Sequence, residues 1–200
     1  VMNDVGNDFT VQEIEDEIVT TIDSLTNNFK WNQKVLGLYG TGAYENEKWG
    51  VKLGLRVENT DLSTLLANTN ESNNQNFTNL FPTFHTSYKF SESISVQGGY
   101  SRRIYRPRLW DLNPFFNIRN NFNIRVGNPN LLPEFTDSYE ITSIFNMEKA
   151  SINTSIYHRY TTDVVERVST FANNVNTTMP MNIGTNQTTG FELNGEYSPT

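Results

Sequence analysis

The stretch that decides the fold is YSRRIYRPRLWDLNPFFNIRNNFNIRVGNPNLLPEFTDSY, which runs from residue 100 to residue 139. It contains six arginines and four prolines. Proline removes a backbone donor and pushes the preceding residue towards extended geometry, so this stretch interrupts any central strand. Irregular connections of this length are uncommon in compact domains and usually carry function. We therefore predict a long, shaped loop at 104–136.

On both sides of this loop the sequence alternates between apolar and polar residues, which is the pattern of a half-buried β-strand. The clearest case is KWGVKLGLRVEN at 48–59, where every second residue from Trp49 to Val57 is apolar. Seven such strands are predicted, at 29–44, 48–59, 80–90, 93–103, 137–146, 150–161 and 188–198.

The predicted connections alternate between short and long. Tight turns lie near 45–47, 91–92 and 148–149, and long loops span 60–78, 104–136 and 162–186. Aromatic residues flank the tight turns, at Tyr44, Trp49, Tyr88, Phe90 and Phe145. Short turns on one rim, long loops on the other and aromatics at strand ends are typical of an outer-membrane β-barrel. Cross-strand aromatic pairs in a soluble sheet are the alternative.

Composition narrows the choice of function. Hydrophobic residues make up 36% of the chain and aromatics 12%, which suits strands with a single apolar face. The net charge of −7 argues against nucleic acid as a partner. The chain has no Cys, which excludes a disulfide framework and a thiolate zinc site. No apolar segment approaches the ~20 residues of a transmembrane helix.

The N-terminal part has a different period. Apolar residues recur at three- and four-residue spacing at Val11, Ile14, Ile18, Ile22 and Leu25, which predicts an amphipathic helix over 10–26. The alternative is a strand or ordered loop, because residues 18–22 are all β-branched. The predicted organisation is a loop or short amphipathic helix at 1–28, followed by the strands at 29–200.

The sequence offers no catalytic constellation. His85 and His158 are far apart and lack the spacing of metal ligands, and there is no P-loop, nucleophile elbow or dinucleotide fingerprint. We expect no enzyme, no cofactor and no metal site. The chemical candidate is the arginine-rich loop, because guanidinium groups suit carboxylates and phosphates. The candidate ligand-binding residues are Arg102, Arg103, Arg106, Arg108, Trp110 and Asp111. The alternative is that these side chains only fix the loop.

Two motifs, YSRRIYRPRLWDLNPF and RVGNPNLLPEFTDSYE, resemble the signature of the outer-membrane β-barrel family found in TonB-dependent receptors of Gram-negative bacteria. The segments NNFKWNQKVLGLYGTGAYENEKWGVKLGLRVENT and FPTFHTSYKF are similar to the same family and precede the signature in the expected order. The resemblance covers roughly residues 27–198.

The resemblance implies an all-β, antiparallel meander that is part of a transmembrane outer-membrane β-barrel. It implies a receptor or transporter whose wall is polar inside and whose outward loops recognise an unknown nutrient ligand. Expected partners are outer-membrane lipid and a TonB-type energising protein that acts through parts not in this chain. The chain shows no plug domain, so we expect an internal part of a larger barrel. The alternative function is a soluble, secreted all-β binding or adhesion domain.

Overall fold

The structure, a computed structural model, describes residues 2–10, 12–15, 18–22, 26–115 and 122–198. Within these ranges no helix is long and apolar enough to cross a membrane. The elements are β1 (Met2–Phe9), β2 (Gln12–Glu15), β3 (Ile18–Thr21), β4 (Asn27–Glu45), β5 (Trp49–Leu66), β6 (Glu71–Lys89), β7 (Ile94–Tyr105), α1 (Leu109–Leu112), β8 (Asn123–Arg125), β9 (Glu134–Asn146), β10 (Ala150–Thr162), β11 (Val165–Ala172), β12 (Val175–Asn182) and β13 (Thr185–Tyr197).

The main sheet has eight strands in the order β1-β4-β5-β6-β7-β9-β10-β13. Every neighbouring pair in it is antiparallel, so the predicted antiparallel meander is confirmed. Two small sheets accompany it. One is the β2–β3 hairpin, and the other has the order β11-β12-β8, with β8 parallel to β12.

The register gives the main sheet two chemically different faces, because directly paired residues in neighbouring strands share a face. On one face Lys52 pairs with His85, His85 with Gly99, and Gly99 with Glu140; we call this the polar face. On the other, Leu53 pairs with Phe84; we call this the apolar face. Its large side chains remain exposed within the described chain, among them Leu36, Leu38, Leu53, Leu80, Ile141, Ile156, Phe191 and Leu193.

The two rims of the sheet also differ. Tight connections at 46–48, 90–93 and 147–149 lie on one rim. The long connections between β1 and β4, between β7 and β9 and between β10 and β13 lie on the other. Aromatic rings gather at the tight rim: the Trp49 and Tyr88 ring centroids are 4.5 Å apart, and those of Tyr88 and Phe90 are 4.7 Å apart. This is the arrangement that the aromatic residues beside the predicted turns indicated.

The predicted helix over 10–26 is wrong where the structure describes it. The chain forms the β2–β3 hairpin instead, which is the alternative that the β-branched residues favoured. A helix with one apolar face needs an apolar surface to cover that face. Ile14 and Ile18 lie 72% and 67% exposed, so the described part of the chain offers no such cover. Val11 and Leu25, which belong to the same pattern, lie outside the described residues.

The prediction that residues 1–28 only precede the strands is also wrong, because β1 is the edge strand of the main sheet. It pairs with β4 from Met2↔Lys34 to Phe9↔Asn27. The sequence MNDVGNDF has no apolar–polar alternation and carries few strand-forming side chains. Backbone pairing with the long β4 strand therefore decides its conformation, and the sheet gains an eighth strand.

The predicted loop at 60–78 is mostly strand. β5 continues to Leu66 and β6 begins at Glu71, so the turn occupies only 67–70, where Asn70 adopts a φ of 56°. The side chains that alternate along this extension are buried on the polar face: Thr60, Leu62, Thr64 and Leu66. Their burial depends on a distant segment, described below, which local composition does not reveal.

The other two predicted loops contain secondary structure. The connection at 104–136 carries the one-turn helix α1 and the short strand β8, with residues 116–121 outside the described ranges. The connection at 162–186 is largely the β11–β12 hairpin. Hydrogen bonds from Val126 N to Thr178 O (3.1 Å) and from Asn176 N to Phe122 O (2.8 Å) join the two connections.

Candidate functional site

The arginine- and proline-rich loop folds into a compact unit that we call the cap, residues 106–115 and 126–133. Its first half turns through α1, where Asn113 N donates to Leu109 O at 3.0 Å. Asp111 stabilises the start of this turn, because its Oδ2 atom accepts a hydrogen bond from Arg108 N at 3.3 Å. A carboxylate in the first turn of a helix accepts from otherwise unpaired backbone N–H groups.

The two halves of the cap are joined by backbone hydrogen bonds. Gly127 N donates to Asn113 O at 2.8 Å, and Asn128 N donates to Asp111 O at 2.7 Å. The approach at Gly127 is close: a Cβ there would lie 2.7 Å from Asn113 N and 2.8 Å from Asn113 C. Only glycine fits this contact without displacing the backbone, which explains the residue in the GNPN motif.

The cap is seated on the sheet through an apolar cluster. Leu112 and Leu131, which are 0% and 1% exposed, pack against Phe29, Leu62 and Leu66. Leu62 and Leu66 lie an even number of residues after Glu58 on β5, so their side chains are on the same face. Phe29 of β4 pairs with Leu66 and shares that face. The cap therefore lies on the polar face, at the rim opposite the tight turns.

Polar side chains fix the cap on both sides. On one side, Asn73 Nδ2 and Gln75 Nε2 of β6 donate to Pro129 O at 3.1 and 2.9 Å. On the other side, Asn128 Nδ2 donates to Pro180 O at 3.2 Å. Leu132 N donates to Asn182 Oδ1 at 2.8 Å, and Asn182 Nδ2 returns a bond to Leu132 O at 2.9 Å. The NPN turn is thus bound to β6 and to β12.

Arg106 forms the charged link between the cap and the sheet. Its Nη2 lies 2.6 Å from Glu58 Oε2 and 3.2 Å from Thr60 Oγ1. Arg56 Nε approaches the other carboxylate oxygen of Glu58 at 3.2 Å. Glu58 is only 9% exposed. Two guanidinium groups therefore hold one nearly buried carboxylate, and Arg106 acts in the architecture of the loop.

Arg102 and Arg103 leave β7 on opposite faces. Arg102 belongs to the apolar face, close to the loop rim, where its guanidinium lies 5.1 Å from the centroid of the Phe135 ring. Arg103 belongs to the polar face and is exposed. Within the described chain its side chain forms no salt bridge with Asp or Glu. The two neighbouring arginines cannot contact the same ligand, because the sheet lies between their side chains.

Arg103 borders a concave space of about 570 Å³ on the polar face. The other charged side chains around it are Lys52, Arg159, Glu45 and Glu140, and His85 also lines it. The three cationic groups of Lys52, Arg103 and Arg159 thus outnumber the two carboxylates in this space. Such a surface suits a polar ligand with anionic groups.

The remaining predicted residues lie on the outer side of the cap. Arg108 is exposed, with its guanidinium 5.8 Å from the centroid of the Tyr105 ring. Trp110 is 69% exposed. Asp111 serves α1 as described above. The six predicted residues therefore divide into separate environments, and they do not converge on a single pocket.

The partners that hold the cap are not predictable from the sequence pattern. Glu58 was assigned only to the polar side of its strand, yet it binds a residue 48 positions away. The sequence predicts a loop at Asn73 and Gln75, yet they bind the NPN turn from a strand. No local pattern marks these side chains. Within the described residues, no group of three or more His, Asp or Glu side chains could hold a metal ion.

Comparison with known proteins fits this architecture. Residues 1–200 match the outer membrane protein β-barrel family. The chain belongs to this family. As a family member it is a protein of the bacterial outer membrane, so the alternative of a soluble, secreted domain is wrong. The exposed apolar face agrees, because a soluble sandwich would bury that face against a second sheet.

Solved structures of similar fold are transporters and receptors. The Serratia marcescens hemophore receptor HasR matches 87% of this chain and 32% of its own, with a TM-score of 0.68 and 11% identity. The copper transporter OprC matches 100% of this chain and 32% of its own, with a TM-score of 0.64 and 16% identity.

The FrpB iron transporter of Neisseria meningitidis matches 86% of the chain and 24% of its own, with a TM-score of 0.62 and 16% identity. The family member described here thus spans about a quarter to a third of the length of these proteins. At these identities the likeness concerns the fold. No curated protein sequence matches the chain.

Proposed function

We propose that this chain is a segment of the wall of a TonB-dependent outer-membrane transporter and contributes outward loops that contact the transported nutrient. The observation that carries the proposal is the eight-stranded meander with one polar face, one exposed apolar face and all its long excursions on one rim. Such a sheet is stable when its apolar face meets lipid and its edges continue into further strands.

The proposed ligand-contacting residues are a subset of those in the arginine-rich stretch. Arg103 faces the concave space on the polar face, and Arg108 and Trp110 are exposed on the cap. Arg102, Arg106 and Asp111 instead serve the loop and the sheet through the contacts described above. The ligand would carry anionic groups, which guanidinium groups recognise, and an aromatic or other flat surface could stack on Trp110.

The proposed partners follow from the same assignment. The apolar face would contact outer-membrane lipid, and a TonB-type protein would supply energy through regions outside residues 1–200. Proteins of similar fold include an iron transporter, a copper transporter, a hemophore receptor and a ferric yersiniabactin uptake receptor. For this chain they support a nutrient of the same broad kind without selecting one.

The test is to place single spin labels on the two faces of β5. The chain has no native Cys, so Leu53→Cys and Leu55→Cys can be labelled alone, and Lys52→Cys and Arg56→Cys serve as matched neighbours. In the intact protein in bilayers, positions 53 and 55 should be accessible to dissolved oxygen in lipid. Positions 52 and 56 should be accessible to a water-soluble relaxation agent. A charged side chain facing mid-bilayer would cost ~2–4 kcal/mol, which enforces this orientation.

The reversed pattern, with positions 52 and 56 in lipid, would refute the wall assignment. Equal exposure of all four positions to the water-soluble agent would refute it as well, since it would mean that neither face contacts a membrane.

A further inference from the structure

We propose that the cap is a fixed constriction of the barrel lumen and that Glu58 is the wall residue that holds it in place. This goes beyond ligand recognition by the loops, because it assigns to the RRIYRPR and GNPNLLPE motifs a role in closing space inside the barrel. The inference rests on the proposed function in one respect only, namely that the polar face lines the lumen.

The position of the cap is the first support. A loop that projected away from the membrane would leave the loop-side ends of β5 exposed on both faces. Instead, Thr60, Leu62, Thr64 and Leu66 are buried on the polar face only. Leu62 and Leu66 pack with Leu112 and Leu131 of the cap, and Thr60 accepts a hydrogen bond from Arg106. Thr64 lies between Leu62 and Leu66 on the same face. On the opposite face of the same segment, Asp61 is exposed. The cap therefore occupies volume on the side that would be the lumen.

The distribution of charge is the second support. Both salt bridges found among the described residues use Glu58, one to Arg106 of the cap and one to Arg56 of its own strand. The side chains of Glu58 and Arg106 are 12% and 22% exposed. Removing one partner of such a poorly solvated pair leaves an uncompensated charge, which is far costlier than losing a pair on the surface.

The two halves of the cap are held by different kinds of contact, and Glu58 holds the first half. The bonds from Asn73, Gln75 and Asn182 fix the second half of the cap, around the NPN turn. Arg106 begins the first half, immediately after β7 ends at Tyr105. The Glu58–Arg106 pair, together with the bond from Arg106 Nη2 to Thr60 Oγ1, is thus the charged contact that holds the chain inward across the polar face directly after the strand end.

The experiment measures how well the cap shields the wall beneath it. Thr64 is 5% exposed on the polar face, and Thr64→Cys adds one thiol of similar size to a chain without native Cys. The intact protein in outer-membrane vesicles is treated with a membrane-impermeant maleimide. Phe171→Cys, at the exposed end of β11, reports that the reagent reaches the loops in every background.

With Glu58 present, Thr64→Cys should react slowly. Glu58→Gln should accelerate its reaction at least about tenfold, because the lost charge pair lowers the free energy of cap opening. Glu140→Gln is the matched control, since it removes a carboxylate from the same face outside the cap. It should leave the reaction rate unchanged.

Arg106→Gln provides a second variant, which removes the same pair from a position outside the strands. It should accelerate the reaction like Glu58→Gln, and the double variant should react no faster than the faster single variant. Rapid labelling of Thr64→Cys with Glu58 intact would overturn the proposal, as would equal rates in the Glu58→Gln and Glu140→Gln backgrounds. Neither result depends on the lipid-facing labels that test the wall assignment.

Discussion

Replacement of Gly127 by Ala is a stringent test of the cap, because it adds one methyl group where two backbone segments of the loop lie in close contact. The new Cβ would lie 2.7 Å from Asn113 N and 2.8 Å from Asn113 C. Both neighbours are backbone atoms, which cannot rotate away as a flexible side chain would. The two halves of the cap must therefore separate by several tenths of an ångström.

The separation acts on two kinds of interaction. It strains the hydrogen bond from Gly127 N to Asn113 O, now 2.8 Å long, and a typical intramolecular hydrogen bond contributes about 1 kcal/mol net. It also forces an added methyl group into a packed region, which typically costs about 1–3 kcal/mol. We expect Gly127→Ala to destabilise the closed cap by about 2–4 kcal/mol in total.

Hydrogen–deuterium exchange of the intact protein measures this change locally. Amides in 108–113 and 126–131 should exchange about 30- to 1,000-fold faster in Gly127→Ala, since each 1.4 kcal/mol corresponds to a factor of ten. Strand amides of β5 near the tight rim should be unaffected. Gly42→Ala is the matched control, because a Cβ at Gly42 meets nothing within 4 Å.

Unchanged protection of the cap in Gly127→Ala would refute the reasoning, because the close contact would then not constrain the loop. An equal loss of protection in Gly42→Ala would refute it too, since the effect would come from replacing any glycine.

Two further predictions follow from the division of the arginines and from the open sheet. Arg106→Ala should lower the thermal stability of the assembled protein, because it leaves Glu58 without its cap partner. Arg103→Ala should leave stability unchanged and weaken ligand uptake. A stable Arg106→Ala protein, or an unstable Arg103→Ala protein, would contradict this. Residues 1–200 alone should self-associate in detergent-free buffer, because β1 and β13 are unpaired on one side within the described sheet and the apolar face is exposed. A monodisperse monomer in a sedimentation experiment that also unfolds cooperatively would contradict this.

The sequence by itself determined the positions of seven strands of the main sheet and the faces of β5. The alternation from Trp49 to Val57 predicted a strand with one apolar and one polar face, and the register shows these two faces continuing across neighbouring strands. The tight turns and their flanking aromatics were also predictable. These features are local, because a strand's period of two residues and the chemistry of a short turn depend on only a few neighbouring residues.

Only the tertiary structure decided which distant segments meet. β1 is a strand because it pairs with β4, although its own sequence does not alternate. The ends of β5 and β6 are strands whose polar face is covered by the cap, although they are rich in polar residues typical of loops.

The candidate site shows the same limit. The composition of residues 100–139 indicated a functional loop, but not that Arg102 and Arg103 lie on opposite faces or that Arg106 binds Glu58. Glu58 and Asn73 lie 48 and 56 positions from the cap residues Arg106 and Pro129 that they bind. Contacts over such separations depend on the direction in which the chain returns after each turn, and no periodicity in the sequence encodes that direction.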